Sequence, residues 1–217
     1  MLTATSRSGI EINSVLRKTY MLLSLTLLFT AVTAFIGSHV VFTKAMMWGS
    51  ILGGFALLFT TMALRNSGWG LLSVFAFTGL EGFGLGPVLQ HYLRLPGGGA
   101  LIATAAVMTA GIFLALSFYV LFTKKDFSFL GGMLFIGLIT LLIGSIIGLF
   151  FRESIVHLAL AVAGVLIFSG YILYDTSRII NNGERSYIMA TVSLYLDILN
   201  LFLNLLRILS YLSGRRS

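Results

Sequence analysis

The sequence lacks cysteine and contains few charged residues. Without cysteine, neither a disulfide nor thiol catalysis is available to this protein. Only 10% of its 217 residues are Asp, Glu, Lys or Arg. Soluble domains carry roughly 25% charged residues. These two absences exclude a disulfide-stabilised scaffold, a cysteine-dependent enzyme and an ordinary water-soluble domain.

Apolar residues dominate the sequence, at 58% of the chain with a mean hydropathy of +1.00. They form continuous runs rather than alternating patterns, which excludes a membrane β-barrel. Each run is long enough to cross a bilayer as a helix. The composition therefore predicts an all-α polytopic membrane protein with seven transmembrane helices. We place the helices at about 20–41, 45–64, 69–90, 100–123, 129–151, 156–178 and 187–212.

The polar segments between these runs are short, so one membrane domain at 20–212 is predicted, with a tail at 1–19 and another at 213–217. The first apolar run is too long for the apolar region of a cleaved signal, so it is interpreted as a retained span. Lys and Arg number 8 on the N-terminal side of the membrane and 6 on the other, which favours a cytoplasmic N-terminus. A re-entrant last segment would make these counts 11 and 3, but its 26 residues are ample for crossing.

The net charge of +7 does not indicate nucleic-acid binding. The basic residues stand singly or in pairs at the ends of apolar runs, which is typical of topology signals. The lipid bilayer is therefore the predicted partner of most of the surface.

The last apolar segment carries a stripe of polar residues spaced at intervals of 4, 3, 4, 3 and 4, which puts them on one face of a helix. An ionisable group at membrane depth costs at least about 2.5–3.5 kcal/mol, so such groups face protein or water. This helix is therefore predicted to be central, with Asp197 as the first functional candidate and the other polar residues as its lining. The stripe consists of Ser193, Asp197, Asn200, Asn204, Arg207 and Tyr211.

Asp175, near the end of the sixth segment, is a second intramembrane acid. It is either an interfacial acid paired with Arg178 at i+3 or the partner of Asp197. Two carboxyls in contact cannot both ionise easily, so they would titrate as a pair and could bind a divalent cation weakly. If the sixth and seventh segments meet at a turn near Gly183, the two acids lie at different distances from that turn. The difference is about six residues, or roughly 9 Å of helix rise. Contact therefore requires a strong tilt, or that residues 187–191 extend beyond the hydrocarbon core.

Glu81 is the third intramembrane acid, and it lies in a glycine-rich stretch before Pro87 that should kink the helix. It lines the same cavity as the aspartates, or it is protonated and hydrogen-bonded. The histidines, His39, His91 and His157, stand at the non-cytoplasmic segment ends without metal-ligand spacing. A zinc membrane hydrolase is thus only a third hypothesis. We expect no enzyme activity, no cofactor and no tightly bound metal.

Several motifs resemble those of the Bax-inhibitor family, in particular its bacterial branch. The last-helix signature is matched by 193–202 (SLYLDILNLF) and 204–207 (NLLR), and the sixth-helix signature by 171–176 (YILYDT). Residues 77–80 (FTGL) with 84–87 (GLGP) resemble the third helix, and 129–132 (FLGG) the fifth. The resemblance extends from about Arg17 to Leu212, and Glu81 departs from the family pattern.

The resemblance implies a seven-helix fold in which the last helix is enclosed by the other six. It also implies a pH-sensitive calcium leak, with Asp175 and Asp197 as the proton-sensing pair and Arg65 as a latch onto Asp175 in the closed state. Calcium ions and protons would then be the partners. Some bacterial relatives instead resemble modulators of a membrane-anchored ATP-dependent protease. The main hypothesis is therefore the leak channel, the alternative is the protease modulator, and the location is the bacterial inner membrane.

Overall fold

A computed structural model describes residues 4–148, 150, 154–181 and 184–214. This part of the chain is helical almost throughout and contains no strand. Its helices are α1 (Ala4–Ser38), α2 (Lys44–Leu64), α3 (Trp69–Gly84), α4 (Gly86–Leu93), α5 (Gly98–Thr123), α6 (Gly131–Gly148), α7 (Ser154–Ile180) and α8 (Tyr187–Gly214), with a 3₁₀ turn at Ser128–Leu130.

The predicted fold class is confirmed, because the described residues form seven helical stretches that are long and apolar enough to cross a membrane. The short α3 and α4 together make one of these spans, Trp69–Leu93. Helix α1 begins at Ala4, so much of the segment predicted as a polar tail continues the first span as helix. The apolar part of α8 is 56% buried, against 39% or less in the other spans. Its enclosure by the other six helices stays a prediction.

Some predicted loop and tail residues lie outside the described part of the chain. They are Arg152, Glu153, Gly183, Arg215 and Arg216.

The described contacts divide the chain into two compact units. The first consists of Met1–Gly98 with Glu184–Tyr195, and the second of Gly99–Gly183 with Leu196–Ser217. Helix α8 therefore contributes its first turns to one unit and its remaining turns to the other.

Glycine contacts hold α1 against α3 and α4 in the first unit. A side chain at Gly82 would meet Thr30 and Thr33 of α1, and one at Gly86 would meet the backbone of Gly37. Small residues let membrane helices approach closely enough for dispersion forces to act between backbones. The pair Gly82-xxx-Gly86 therefore serves internal packing.

The third segment is interrupted at Leu85, between α3 and α4, in the stretch where the sequence predicts a kink. Pro87 stands in the first turn of α4, where its missing N–H costs no helical hydrogen bond within α4. The N–H of Leu85 is shared between the carbonyls of Glu81 and Gly82, at 3.1 and 3.0 Å. The Gly–Pro cluster thus ends one helix and starts the next without breaking the span.

In the second unit, α6 packs on α7. Gly144 and Gly148 of α6 both face Leu160 of α7, and Gly170 of α7 faces Leu134 of α6. Each glycine accepts a branched side chain from the opposite helix. The small-residue pair Gly144-xxx-Gly148 is therefore also an internal packing feature.

The rest of the helical surface is strongly apolar. Large side chains such as Val107 and Phe122 of α5 are more than 70% exposed. A soluble protein rarely exposes so much contiguous apolar surface, whereas a bilayer requires it. Together with the seven spans, this makes the chain a multi-pass membrane protein.

We expect Gly86→Ala to destabilise the protein by about 1–3 kcal/mol, because the new methyl group overlaps the backbone of Gly37. Thermal unfolding in detergent would measure the loss. The matched control is Gly111→Ala, which adds a methyl group in open space within α5 and should be no less stable than the native protein. Equal unfolding temperatures for the two variants would contradict the close α1–α4 contact.

Candidate functional site

The aspartate of the sixth segment and that of the seventh are in contact in the structure. The carboxyl groups of Asp175 of α7 and Asp197 of α8 lie close enough for a hydrogen bond, and both residues belong to the second unit. Asp197 is only 5% exposed. A carboxyl–carboxyl hydrogen bond needs a proton between the oxygens, since two buried carboxylates at this separation repel each other.

Contact occurs although the two acids stand at unequal distances from their helix ends. Asp175 lies five residues before the end of α7, and Asp197 lies ten residues after the start of α8. The first turns of α8 pack elsewhere, with Ile188 against Gly70 and the Thr191 hydroxyl donating to the Thr19 carbonyl. The register mismatch inferred from the sequence does not prevent the pairing.

Asp175 also has the partner that its spacing suggested. The Arg178 guanidinium lies 3.7 Å from its carboxylate and packs over the ring of Tyr174, 5.7 Å from the ring centroid. The two alternatives for Asp175 are thus realised together. Asp197 has one carboxyl oxygen, Oδ2, that is buried and has no hydrogen-bond partner among the described residues. This oxygen is an unsatisfied hydrogen-bond acceptor in the described part of the chain.

Tyr171 is a neighbour of the pair that the sequence analysis did not single out. It lies one turn before Asp175 on the same face of α7. Its hydroxyl is near enough to both carboxyls to interact with them electrostatically. The i, i+4 spacing from an intramembrane acid was the signal that could have identified it.

The loop between α5 and α6 anchors the end of α7 that carries Asp175. Ser177 of α7 accepts a hydrogen bond from the N–H of Phe127 at 2.9 Å, and its hydroxyl lies 3.4 Å from the carboxylate of Asp126. The neighbouring Thr176 shares a 3.4 Å contact with Ser117 of α5. Three consecutive residues of α7, 175–177, are therefore each bound to a different element.

Asp126 caps this loop outside the membrane spans. Its carboxylate accepts a hydrogen bond from the N–H of Ser128 at 2.8 Å. This bond, with a smaller contribution from Ser177, lowers the pKa of Asp126. The Asp126 carboxyl therefore stays ionised at mildly acidic pH.

The polar stripe of α8 is buried over part of its length. Asp197 and Asn204 are buried, and Ser193, Asn200 and Tyr211 are half-buried. Asn204 fills the space at Gly164 of α7, where a Cβ would come within 2.6 Å of the amide. Both asparagines donate to the carbonyl four residues earlier in α8, at 2.8 Å. They act as packing groups that satisfy themselves within their own helix.

Arg207 departs from the rest of the stripe, because its side chain is exposed. A long charged side chain near a helix end can lay its stem along apolar surface and keep its head in a polar environment. The exposure of this side chain therefore gives no support to the lining role predicted for Arg207.

A second buried polar cluster lies in the first unit. The hydroxyls of Tyr195 and Thr30 are 3.0 Å apart, and both contact the carbonyl of Thr78, at 3.4 and 3.0 Å respectively. Tyr195 is fully buried. Helices α8, α1 and α3 are thus joined by hydrogen bonds two residues before Asp197. The sequence did not reveal this cluster, because a Thr hydroxyl in a helix can equally bond to a carbonyl of its own helix and spacing does not distinguish the two cases.

The other residues singled out from the sequence are Glu81, Arg65 and the histidines. Glu81 belongs to the first unit and lies in the α2–α3 contact, and Arg65 is exposed at the end of α2. In the part of the chain that the structure describes, no three His, Asp or Glu side chains gather closely enough to hold a metal ion. The zinc hypothesis therefore lacks geometric support.

Comparison with known proteins gives a consistent family. The family model described as "Inhibitor of apoptosis-promoting Bax1" matches residues 12–214. The chain is 45% identical to "Modulator of FtsH protease YccA" of Escherichia coli K12, over 95% of this chain and 94% of the relative. It is 47% identical to an uncharacterised protein of Pseudomonas aeruginosa, over 94% and 92% of the two chains. Protein lifeguard 4 of Mus musculus is 36% identical, over 89% and 83%.

We expect Ser177→Ala to destabilise the protein by about 0.5–1.5 kcal/mol, because the partly buried N–H of Phe127 loses its acceptor. Unfolding in detergent, followed by circular dichroism, would measure the change. Ser24→Ala is the control: that exposed hydroxyl donates only to the Tyr20 carbonyl of its own helix, so its loss should stay within about 0.5 kcal/mol. The anchoring role of Ser177 is wrong if the two variants are equally stable.

Proposed function

Because the chain belongs to the Bax inhibitor family, we propose that it modulates a membrane-anchored ATP-dependent protease in the bacterial inner membrane. The observation that carries this proposal is the 45% identity, over nearly the full length of both chains, to a relative named as a modulator of FtsH protease. Such a role needs a binding surface rather than catalytic groups. We accordingly propose that the protein is not an enzyme.

The N-terminal segment is the part of the chain that we propose for contact with the protease. Residues 1–12 precede the first span, Asn13–Ser38, and contain Arg7 and Glu11. The charge bias of the sequence favours a cytoplasmic location for this segment. A protease domain on that side of the membrane could reach it without entering the bilayer.

Deletion of residues 2–12 should abolish modulation of the protease and leave the folded membrane domain intact, because the deletion ends before the first span. The assay is ATP-dependent degradation of a membrane substrate in proteoliposomes that contain FtsH with and without this protein. Thermal unfolding of the deletion variant controls for misfolding. If the native protein neither changes the degradation rate nor co-purifies with the protease, the proposal fails.

A second function, a pH-sensitive leak of calcium or other cations, is favoured by the close contact between the carboxyl groups of Asp175 and Asp197. While the pair holds its proton, the two carboxyls attract and join α7 to α8. Loss of the proton leaves two like charges in contact, which must separate or bind a cation. Two carboxylates give a weak calcium site, because tight sites use about 6–8 oxygens, and weak binding suits conduction.

Other residues have proposed roles in this leak. Arg65 is the proposed latch of the closed state, as the family resemblance implies. The free Oδ2 of Asp197 is the atom at which a cation would first be held. Protons and calcium ions would then be the partners of the site, and calcium its cargo rather than a bound cofactor.

We expect the double variant Asp175→Asn with Asp197→Asn to lose the pH dependence of calcium entry into proteoliposomes, because neither amide titrates. A calcium-sensitive dye inside the vesicles measures the rate across a pH series. The matched control is Asp126→Asn, which removes an acid outside the spans whose lowered pKa keeps it ionised at mildly acidic pH. The sensor role is excluded if the double variant keeps the native pH profile.

A further inference from the structure

Glu81 is the one carboxyl group that the sequence places within the membrane spans of the first unit. Neither proposed function uses it. Its side chain is half-buried against α2: the Oε1 atom occupies the space where a side chain at Gly54 of α2 would begin. Because residue 54 is glycine, the carboxyl group fits inside the α2–α3 contact.

Small residues make that contact close on both sides of Glu81. Gly53 of α2 faces Leu80, with 2.8 Å between the leucine side chain and the position of a Cβ on Gly53. Ser50 faces Gly84 one turn away. The pairing of 50 with 84, 53 with 80 and 54 with 81 shows that α2 and α3 run antiparallel. The carboxyl of Glu81 thus lies between two tightly packed helices rather than in a loop or at a helix end.

No countercharge faces this carboxyl group. It makes no hydrogen bond and no ion pair with the residues that the structure describes. The hydroxyl of Tyr195 on α8 interacts with it electrostatically. From Met21 to Ser38 α1 has no ionisable residue, and neither has α2 after Lys44. Lys44 is ten residues before Gly54 on α2, and His91 of α4 is ten residues after Glu81. Each separation corresponds to about 15 Å of helix rise.

We propose that Glu81 is a second proton-binding site of this protein, built into the α2–α3 contact and independent of the aspartate pair. With a proton bound, the neutral carboxyl fits against the backbone of Gly54 and the helices stay in contact. Without it, a carboxylate between two helices lacking countercharge must recruit water or a cation. Helix α2 then moves away from α3.

The first experiment detects the proton directly. Infrared difference spectra of the protein in liposomes, recorded from acidic to alkaline pH, should contain the C=O stretching band of a protonated carboxyl group that is lost in Glu81→Gln. The same band should remain in the Asp175→Asn, Asp197→Asn double variant. This control separates the Glu81 site from the aspartate pair, so the proposal stands or fails independently of the leak.

The second experiment detects the helix movement. The chain has no cysteine, so Ser50→Cys with Gly84→Cys supplies a unique thiol pair. The Cβ positions of residues 50 and 84 are 3.4 Å apart, close to the 3.5–4.5 Å of disulfides. Disulfide formation should slow severalfold at alkaline pH relative to the same pair in a Glu81→Gln background, in which the neutral amide keeps the helices together. The comparison cancels the intrinsic pH dependence of thiol oxidation.

Two results would overturn the proposal. One is a set of difference spectra that Glu81→Gln leaves unchanged, which would mean that Glu81 does not change its protonation state over the pH range. The other is a ratio of cross-linking rates that stays constant across the pH series, which would mean that the charge of Glu81 does not move α2.

Discussion

Hydrocarbon offers no hydrogen bonds, so a polar side chain at membrane depth that has no partner within the chain is costly. This protein supplies partners in three ways, while the carboxyl of Glu81 and the Oδ2 atom of Asp197 have none among the described residues. Isolated hydroxyls and the asparagines of α8 bond to carbonyls of their own helix. The Tyr195 cluster joins three helices through hydroxyls and a carbonyl. The third way is the contact between Asp175 and Asp197, in which each carboxyl is the partner of the other.

The third solution differs physically from the first two. A hydroxyl–carbonyl bond persists at any ordinary pH, because neither group titrates near neutrality. A carboxyl–carboxyl bond exists only while at least one proton remains between the oxygens. The same two side chains therefore attract in one protonation state and repel in the other. The anchoring of residues 176 and 177 by α5 and its following loop limits how α7 can respond.

Glycine is the counterpart of these polar groups, because it makes room for them. Gly164 accepts the amide of Asn204, and Gly54 accepts the carboxyl of Glu81. Elsewhere glycine serves close packing alone, as where Gly86 meets the backbone of Gly37. The sequence indicated that small residues permit close approach, but a glycine looks the same whether a backbone, a leucine or an acid lies opposite. Only the fold distinguishes these cases.

The sequence by itself determined the fold class, the seven spans and the three acids that lie within them. Hydropathy and helical periodicity are local properties, so they can be read along the chain. The tertiary structure decided which groups meet. Asp175 and Asp197 stand at unequal distances from their helix ends, and periodicity defines the face of a helix but not the partner opposite that face. Likewise, nothing near Glu81 in the sequence indicates Gly54, because their contact depends on how two antiparallel helices align. Such alignments arise from the packing of whole helices.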